Sequence, residues 1–454
     1  MIPTAFAALL LGVLPALSPE GATTASTQAV DSGTVAALPA SSGKGSSVLP
    51  PAGEPGGKGL AIKTAKALTV PFEGPQFIDN AVVLVRDGLI EAVGPARETA
   101  IPVGYEVLDV GERWIAPGMV ELHAHIAGTW DINDMVYLTN PGIRASTAVR
   151  PGDRKMKLGL AGGVTTILFI PGSGTNIGGQ GVLLKTGLDK YEDMEVRNPG
   201  SMKLAQAGNP ERWVIRPGRS FMNWNTRNTF QRGVAYAKRW EAAEKNGGPK
   251  PKVDVQFEVM RSLYKREAQI STHTQIYQVA NMTLTMVAKE LGLPVYIDHG
   301  TFDAYRVAPR AKELGVSAIL GPRAIDVPST MMMMWAGTNP ERIQGVAAGY
   351  QEGGLEMIGF NTDSPVIPQE ELSLQASMAV RYGFKFDDLQ TIRGLTIIPA
   401  KTAGIDHLVG SLEAGKQADL LVVNGDPADP RCGIEMILTE GKMVYDTSTE
   451  RRRW

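Results

Sequence analysis

"GMVELHAHIAG", residues 118–128, ends a short apolar run on two histidines separated by one alanine. Side chains of a strand alternate between its faces, so His123 and His125 point the same way. The chain has 5 histidines in 454 residues, and two of them share one face here. That pattern has two readings: polar residues where a strand surfaces, or two ligands of one metal ion. The second demands further ligands elsewhere, and a fold that delivers them to the same place.

Downstream of Pro117 the texture supplies such a fold. Apolar strand candidates occur at 118–123, 163–170, 181–186, 201–205, 269–273, 294–299, 316–320 and 356–360, with helical stretches such as "QIYQVANMTLTMVAKELG" and "FDAYRVAPRAKELG" between several of them. Strands alternating with helices predict parallel βα units. Eight of them over this length predict an α/β fold, a TIM (β/α)8 barrel over 118–404, whose usual size is ~250 residues. The segment 206–252 reads as an irregular insertion.

Upstream, "LAIKTAKALTV", "AVVLVRDGLIEAVG" and "YEVLDVGERWIAPG" are β-prone runs broken by Gly, Pro and Asp, and the Asp-Gly pair marks a hairpin. The tail returns to this texture in "GSLEAGKQADLLVVNGDP" and "EMILTEGKMVYD". Segments 59–117 and 405–454 are therefore expected to form one small composite β-sandwich. Residues 18–58 are a Ser-, Gly- and Pro-rich linker that cannot bury a core. The apolar stretch 2–17 reads as the core of an export signal, with a retained anchor as the competing reading. Export to a periplasmic or extracellular location is the expectation, without stable membrane insertion.

Bulk properties narrow the function classes. A formal net charge of −2 leaves no basic footprint for nucleic acid. The single cysteine, Cys432, excludes an internal disulfide and any cysteine-based zinc site. Metal ligands must then be His, Asp, Glu or a modified Lys.

In a TIM barrel, catalytic groups sit at the C-terminal ends of strands. His123 and His125 end the first predicted strand, His273 the fifth and His299 the sixth; Asp363 in "GFNTDSP" follows the eighth. Each alone reads as structural, but their joint placement does not. His407 lies outside the barrel and reads as a surface residue.

"PGMVELHAHI", "GVTTI", "STH", "IDHG", "FNTDSP" and "GSLEAGKQADLLVV" together resemble the amidohydrolase superfamily, nearer its imidazolonepropionase-like branch, over roughly residues 59–446. The resemblance implies one or two divalent metals, commonly Zn2+. His123, His125 and Asp363 would hold the buried one. His273 and His299 would hold a second, or bind and polarise substrate. It also implies a carboxylated lysine or a glutamate on the fourth strand. Strand counting favours Lys203, with Lys185 as the alternative; Gly208 stands where relatives often carry a glutamate. Asp363 would act as general base and then acid.

Other motifs weigh less. "GSLEAGKQ" (410–417) nearly spells a phosphate loop but has Gln417 where Ser or Thr must follow the lysine. "GSGTNIG" (172–178) fails the dinucleotide spacing and reads as a flexible active-site loop. "MMMMW" (331–335) reads equally as pocket wall or core. Arg323 is a candidate for a substrate carboxylate, against a plain surface ion pair. The expected activity is hydrolysis of amide, peptide or cyclic-amide C–N bonds of a small molecule. Imidazolonepropionase-like hydrolysis and heterocycle deamination are the alternatives, with a non-catalytic binding or scaffold barrel as the reading from another class. A homo-oligomer is compatible with all of these.

Overall fold

The computed structural model describes residues 59–449, apart from 130, 131, 134, 136, 213 and 338–342 and the side chains at 331, 332 and 388. The expected signal and linker, residues 1–58, lie outside the described residues.

The chain first lays down β1 (Leu60–Leu68), β2 (Phe77–Arg86), β3 (Leu89–Pro95), β4 (Glu106–Asp109) and β5 (Trp114–Pro117). The barrel strands follow: β6 (Met119–Ala124), β7 (Val164–Phe169), β8 (Ile177–Lys185), β9 (Glu195–Ala205), β10 (Gln269–Thr274), β11 (Val295–His299) and β12 (Ala318–Leu320). A two-stranded pair, β13 (Ile325–Asp326) and β14 (Gln344–Gly345), precedes the last barrel strand, β15 (Ile358–Phe360). The chain closes with β16 (Leu420–Val423), β17 (Ile434–Thr439) and β18 (Lys442–Asp446).

The barrel sheet has eight strands in the order β15-β12-β11-β10-β9-β8-β7-β6. Its two ends approach at the mouth, where Ala124 bridges in parallel to Ser364 beyond β15. Each predicted strand has its counterpart, and β6, β7 and β8 are buried along their whole length, as strands covered on both faces must be.

One expectation is corrected. β8 runs antiparallel to both β7 and β9, so the barrel is not uniformly parallel. The physical reason is chain length. Only residues 170–176 join β7 to β8, whereas a parallel crossover needs roughly a dozen residues. The start of β8 therefore lies at the mouth, where Ile177 pairs with Leu204, and its end lies at the opposite rim.

The terminal segments form a single eight-stranded sheet, β18-β17-β16-β5-β1-β2-β3, with β4 pairing beside β5 along β1. Both chain ends contribute, as expected, and β5 passes through Gly118 directly into β6. One apolar cluster of this sheet, including Ile62, Val83, Ile115, Leu420 and Val422, packs within the sheet itself. Leu68, Ala116, Leu421 and Val423 instead join the barrel core. The inserted segment after β9 is mostly the helix Arg219–Asn246. Its Phe230, Tyr236 and Trp240 pack on Met202 and Leu204 of β9, which turns the intervening Lys203 to the other side of the sheet.

Candidate active site

Register decides which side chains meet. On β9, β10 and β11, Lys203 pairs with Ser271 and His273 with Asp298. The alternation therefore puts Lys203, His273 and Asp298 on one face. His299, next in sequence to Asp298, should face away. It does not, because its backbone is left-handed, with φ 66°. That conformation is costly for a residue with a side chain and breaks the alternation so that two consecutive side chains serve one centre. Asp363 is held likewise, with φ 51°.

The centre is built from imidazoles tied down at one nitrogen. His123 Nδ1 lies 2.7 Å from Asp298 Oδ2, and His125 Nδ1 lies 2.8 Å from the Ile170 carbonyl. His299 Nδ1 is 3.0 Å from the Gly321 carbonyl, and His273 Nδ1 is 2.8 Å from Ser173 Oγ. For His123, His125 and His299 the acceptor is a carboxylate or carbonyl, so Nδ1 donates and Nε2 is left with a lone pair. The Nε2 atoms of His123 and His125 are 3.2 Å apart and lie 3.1 and 3.3 Å from Asp363 Oδ1. Lys203 Nζ stands 3.3 Å from His123 Nε2. The His299 ring centre is 4.3 Å from that of His123 and 4.5 Å from that of His273. The Nε2 atoms of His273 and His299 are buried with no hydrogen-bond partner.

Electrostatics follow from this crowding. Burial, aided by the Lys203 charge, pushes His273 down to about 3, and burial takes His299 well below its ordinary value. Burial also lowers His125 and Lys203. Burial opposes a charge on His123 as well, but Asp298 and Asp363 outweigh it and raise that imidazole. Burial opposes the Asp363 carboxylate too; the surrounding imidazoles prevail and hold it well below the usual carboxylate range.

His123, His125 and Asp363 form one group with metal-binding geometry, and His123, Asp298 and His299 form another. The first is the stronger donor set. Asp298 is already occupied as an acceptor, by His123 Nδ1, the His299 amide at 3.0 Å and Asn361 Nδ2 at 3.2 Å, so it backs His123 rather than facing the centre.

The structure thus brings together His123, His125, Lys203, His273, His299 and Asp363. Lys185 is not among them. Its ammonium is buried against the Asp419 carboxylate from the outer sheet, because β8 is reversed and its last residue emerges at the far rim. Arg323 is exposed, with its guanidinium 4.8 Å from the Phe302 ring centre. Phe302 in turn meets Trp335 at 5.9 Å. A Cβ on Gly208, which has φ 77°, would lie 3.7 Å from His273 Nε2 and 3.8 Å from Trp335 Cζ2. Position 208 therefore borders the centre without filling it. Glu211, three residues on, is turned to Trp335 Nε1 and Arg219. In "MMMMW", Met333 and Met334 are exposed, so these two do not pack a core. The Gly-rich loop after β7 does line the site: Ser173 meets His273, and a Cβ on Gly178 would sit 3.5 Å from Lys203 Cγ. It is buried except at Gly174. His407 is exposed.

Sequence reasoning missed Asp298, Ser173 and Glu121. A signal existed for one of them: Glu121 precedes His123 by two residues and so shares its face.

The fold is thus an eight-stranded barrel with a histidine-rich, carboxylate-bearing centre at its mouth, and comparison with known proteins shows what it resembles. A model of the amidohydrolase family matches residues 258–449. The amidohydrolase tasK of Hapsidospora irregularis is 23% identical over 415 residues, 80% of this chain; the chain spans only 40% of the length of that relative. An imidazolonepropionase of Brucella anthropi is 47% identical over 57 residues, 12% of this chain and 14% of its own. The crystal structure of an amidohydrolase from Thermotoga maritima MSB8 superposes with a TM-score of 0.74 at 27% identity, over 85% of this chain and 100% of that one. These likenesses support the amidohydrolase superfamily: the family model covers residues 258–449, and the solved amidohydrolase shares the fold over 85% of the chain.

Proposed function

We propose that the protein is a metal-dependent amidohydrolase that hydrolyses amide, peptide or cyclic-amide C–N bonds. One observation carries the reading: four imidazoles are anchored through Nδ1, two of them with Nε2 beside the Asp363 carboxylate and the other two with Nε2 buried without a partner. Orphaned buried polar atoms are costly, and neutral imidazoles beside an ionised carboxylate are the donor set that zinc-like divalent ions prefer. His123, His125 and Asp363 would hold the ion. Lys203, whose ammonium form is disfavoured by burial, would serve a second one after carboxylation, together with His273 and His299.

A divalent ion supplies Lewis acidity and lowers the pKa of water from 15.7 to ≈ 7. The chain supplies the rest. Asp363 accepts a proton from the attacking water at a carboxylate oxygen and returns it to the departing nitrogen. The loop 171–176, buried except at Gly174, limits bulk water. Arg323, at the edge of the Phe302–Trp335 wall, would receive a substrate carboxylate. The local similarity to imidazolonepropionase favours a second reading, ring opening of a small heterocycle at the same centre. We also propose export, directed by the segment 2–17.

The test is a metal-loaded preparation screened against dipeptides, N-acyl amino acids and lactams, with Asp363→Asn as control. Amine release by the parent but not by the variant is the expected result. A metal-loaded parent inactive on all three classes, with ammonia released from aminated heterocycles instead, would replace hydrolysis of amides by deamination.

A further inference from the structure

The proposed base Asp363 lies beyond the end of β15, on a backbone in a costly conformation, and something must hold it there. Its neighbours are each fixed separately. Asn361 Nδ2 donates to Asp298 Oδ1 at 3.2 Å and to the Ile319 carbonyl at 2.8 Å. The Ser364 carbonyl accepts from the His125 amide at 2.8 Å. Thr362 is held by both of its donors: its amide gives 2.9 Å to Glu121 Oε1, and its hydroxyl gives 2.9 Å to Glu121 Oε2. Glu121 and Thr362 are each fully buried. Glu121 touches neither Asp363 nor the imidazole nitrogens in any of these bonds. It sits two residues before His123, so it anchors the first barrel strand to the last at the point where the barrel sheet lacks a continuous ladder.

We infer that Glu121 is a positioning residue: its two-point grip on Thr362 sets the Asp363 carboxylate relative to the His123–His125 pair. This rests on the proposed function, because it assigns a role to Asp363. A buried carboxyl group between strands costs desolvation, and an apolar side chain would serve packing as well or better; a paired geometry for a neighbouring ligand is what the carboxyl group adds. Groups that orient metal ligands from behind typically affect metal affinity or activity by 10–100-fold.

Four variants separate positioning from packing. In Glu121→Gln, the amide oxygen accepts from the Thr362 amide while its NH2 donates to the hydroxyl, so the grip survives. Thr362→Ser keeps both donors. At nearly constant volume, Glu121→Leu removes both points of the grip and Thr362→Val removes the hydroxyl point alone. Cobalt(II) affinity and its visible spectrum are measured first, then kcat and KM on whichever substrate the parent hydrolyses. The expected result is Co2+ affinity and kcat each reduced by about 10–100-fold in Glu121→Leu and by a smaller factor in Thr362→Val, with KM little changed, and both near parental in Glu121→Gln and Thr362→Ser. Circular dichroism and thermal melting confirm that each variant is folded; a variant that does not fold is replaced by Glu121→Met. Parental Co2+ binding and kcat in folded Glu121→Leu and Thr362→Val would overturn the inference and leave the proposed function standing. A parent that binds no Co2+ would overturn both.

Discussion

Asp363 carries the sharpest prediction at the scale of single residues. Asparagine preserves its shape but cannot take the proton, so Asp363→Asn should lower kcat by ~10²–10⁴-fold, the usual worth of a positioned acid–base group, as read from steady-state rates on the best substrate. The imidazoles make a second prediction, for metal-free protein. His125, His273 and His299 are depressed when folded, His273 to about 3. Between the folded and unfolded values the unfolded chain binds more protons. Their contribution is therefore present above about pH 6.5 and lost on acidification, at up to about 1.4 kcal/mol per pH unit per imidazole. His123 is raised, so its contribution is present below its unfolded value and lost as pH climbs through the folded one. Stability of the metal-free protein should accordingly peak near neutrality, and urea titrations at pH 5, 7 and 8.5 check it. A midpoint that is constant or rising from pH 7 to pH 5 would refute the assignment. The four histidines and Asp363 were legible in the sequence because strand-end position is a one-dimensional signal. Asp298 was not, since a regular strand would turn it and His299 to opposite faces; only the left-handed backbone at His299 lets both serve one centre.

Among elements, the reversed β8 separates the two lysines considered for one role. Lys203 on β9 faces the centre, and Lys185 faces Asp419 across the barrel's other rim. Lys203→Met should reduce bound metal or weaken it at least tenfold while leaving the fold intact. Lys185→Met should leave metal content unchanged and cost about 3–5 kcal/mol of stability, because it strands the buried Asp419 charge. Metal analysis and chemical denaturation of the pair distinguish them, and exchanged phenotypes would reverse the assignment. The eight strands were readable as apolar runs with turn residues between them. Their directions were misjudged at one point: parallel pairing was expected, but the seven residues after β7 cannot carry a crossover helix. What could not be read was register, which depends on pairing partners remote in sequence. Register is what puts Lys203 beside Ser271 and level with the histidines.

Across the molecule, the proposed ligands lie on elements spread from residue 123 to residue 363, so an ion held by them would tie together the barrel mouth that no continuous ladder closes. Binding to the folded state alone stabilises by RT ln(1 + [L]/Kd), ≈ 4.1 kcal/mol at a thousandfold excess over Kd. Chelation should therefore lower the melting temperature, and Zn2+ should restore it in the parent but not in His123→Asn. The composite outer sheet, assembled from both chain ends, was foreshadowed by matching β texture before and after the barrel. Its single-sheet form, with β4 and β5 sharing one edge of β1, had no counterpart in local pattern. The most direct test of the whole account is anomalous diffraction at the zinc edge from crystals grown with zinc. A peak within bonding distance of His123 Nε2, His125 Nε2 and Asp363 is predicted. Crystals with those three side chains ordered and no peak between them would contradict it.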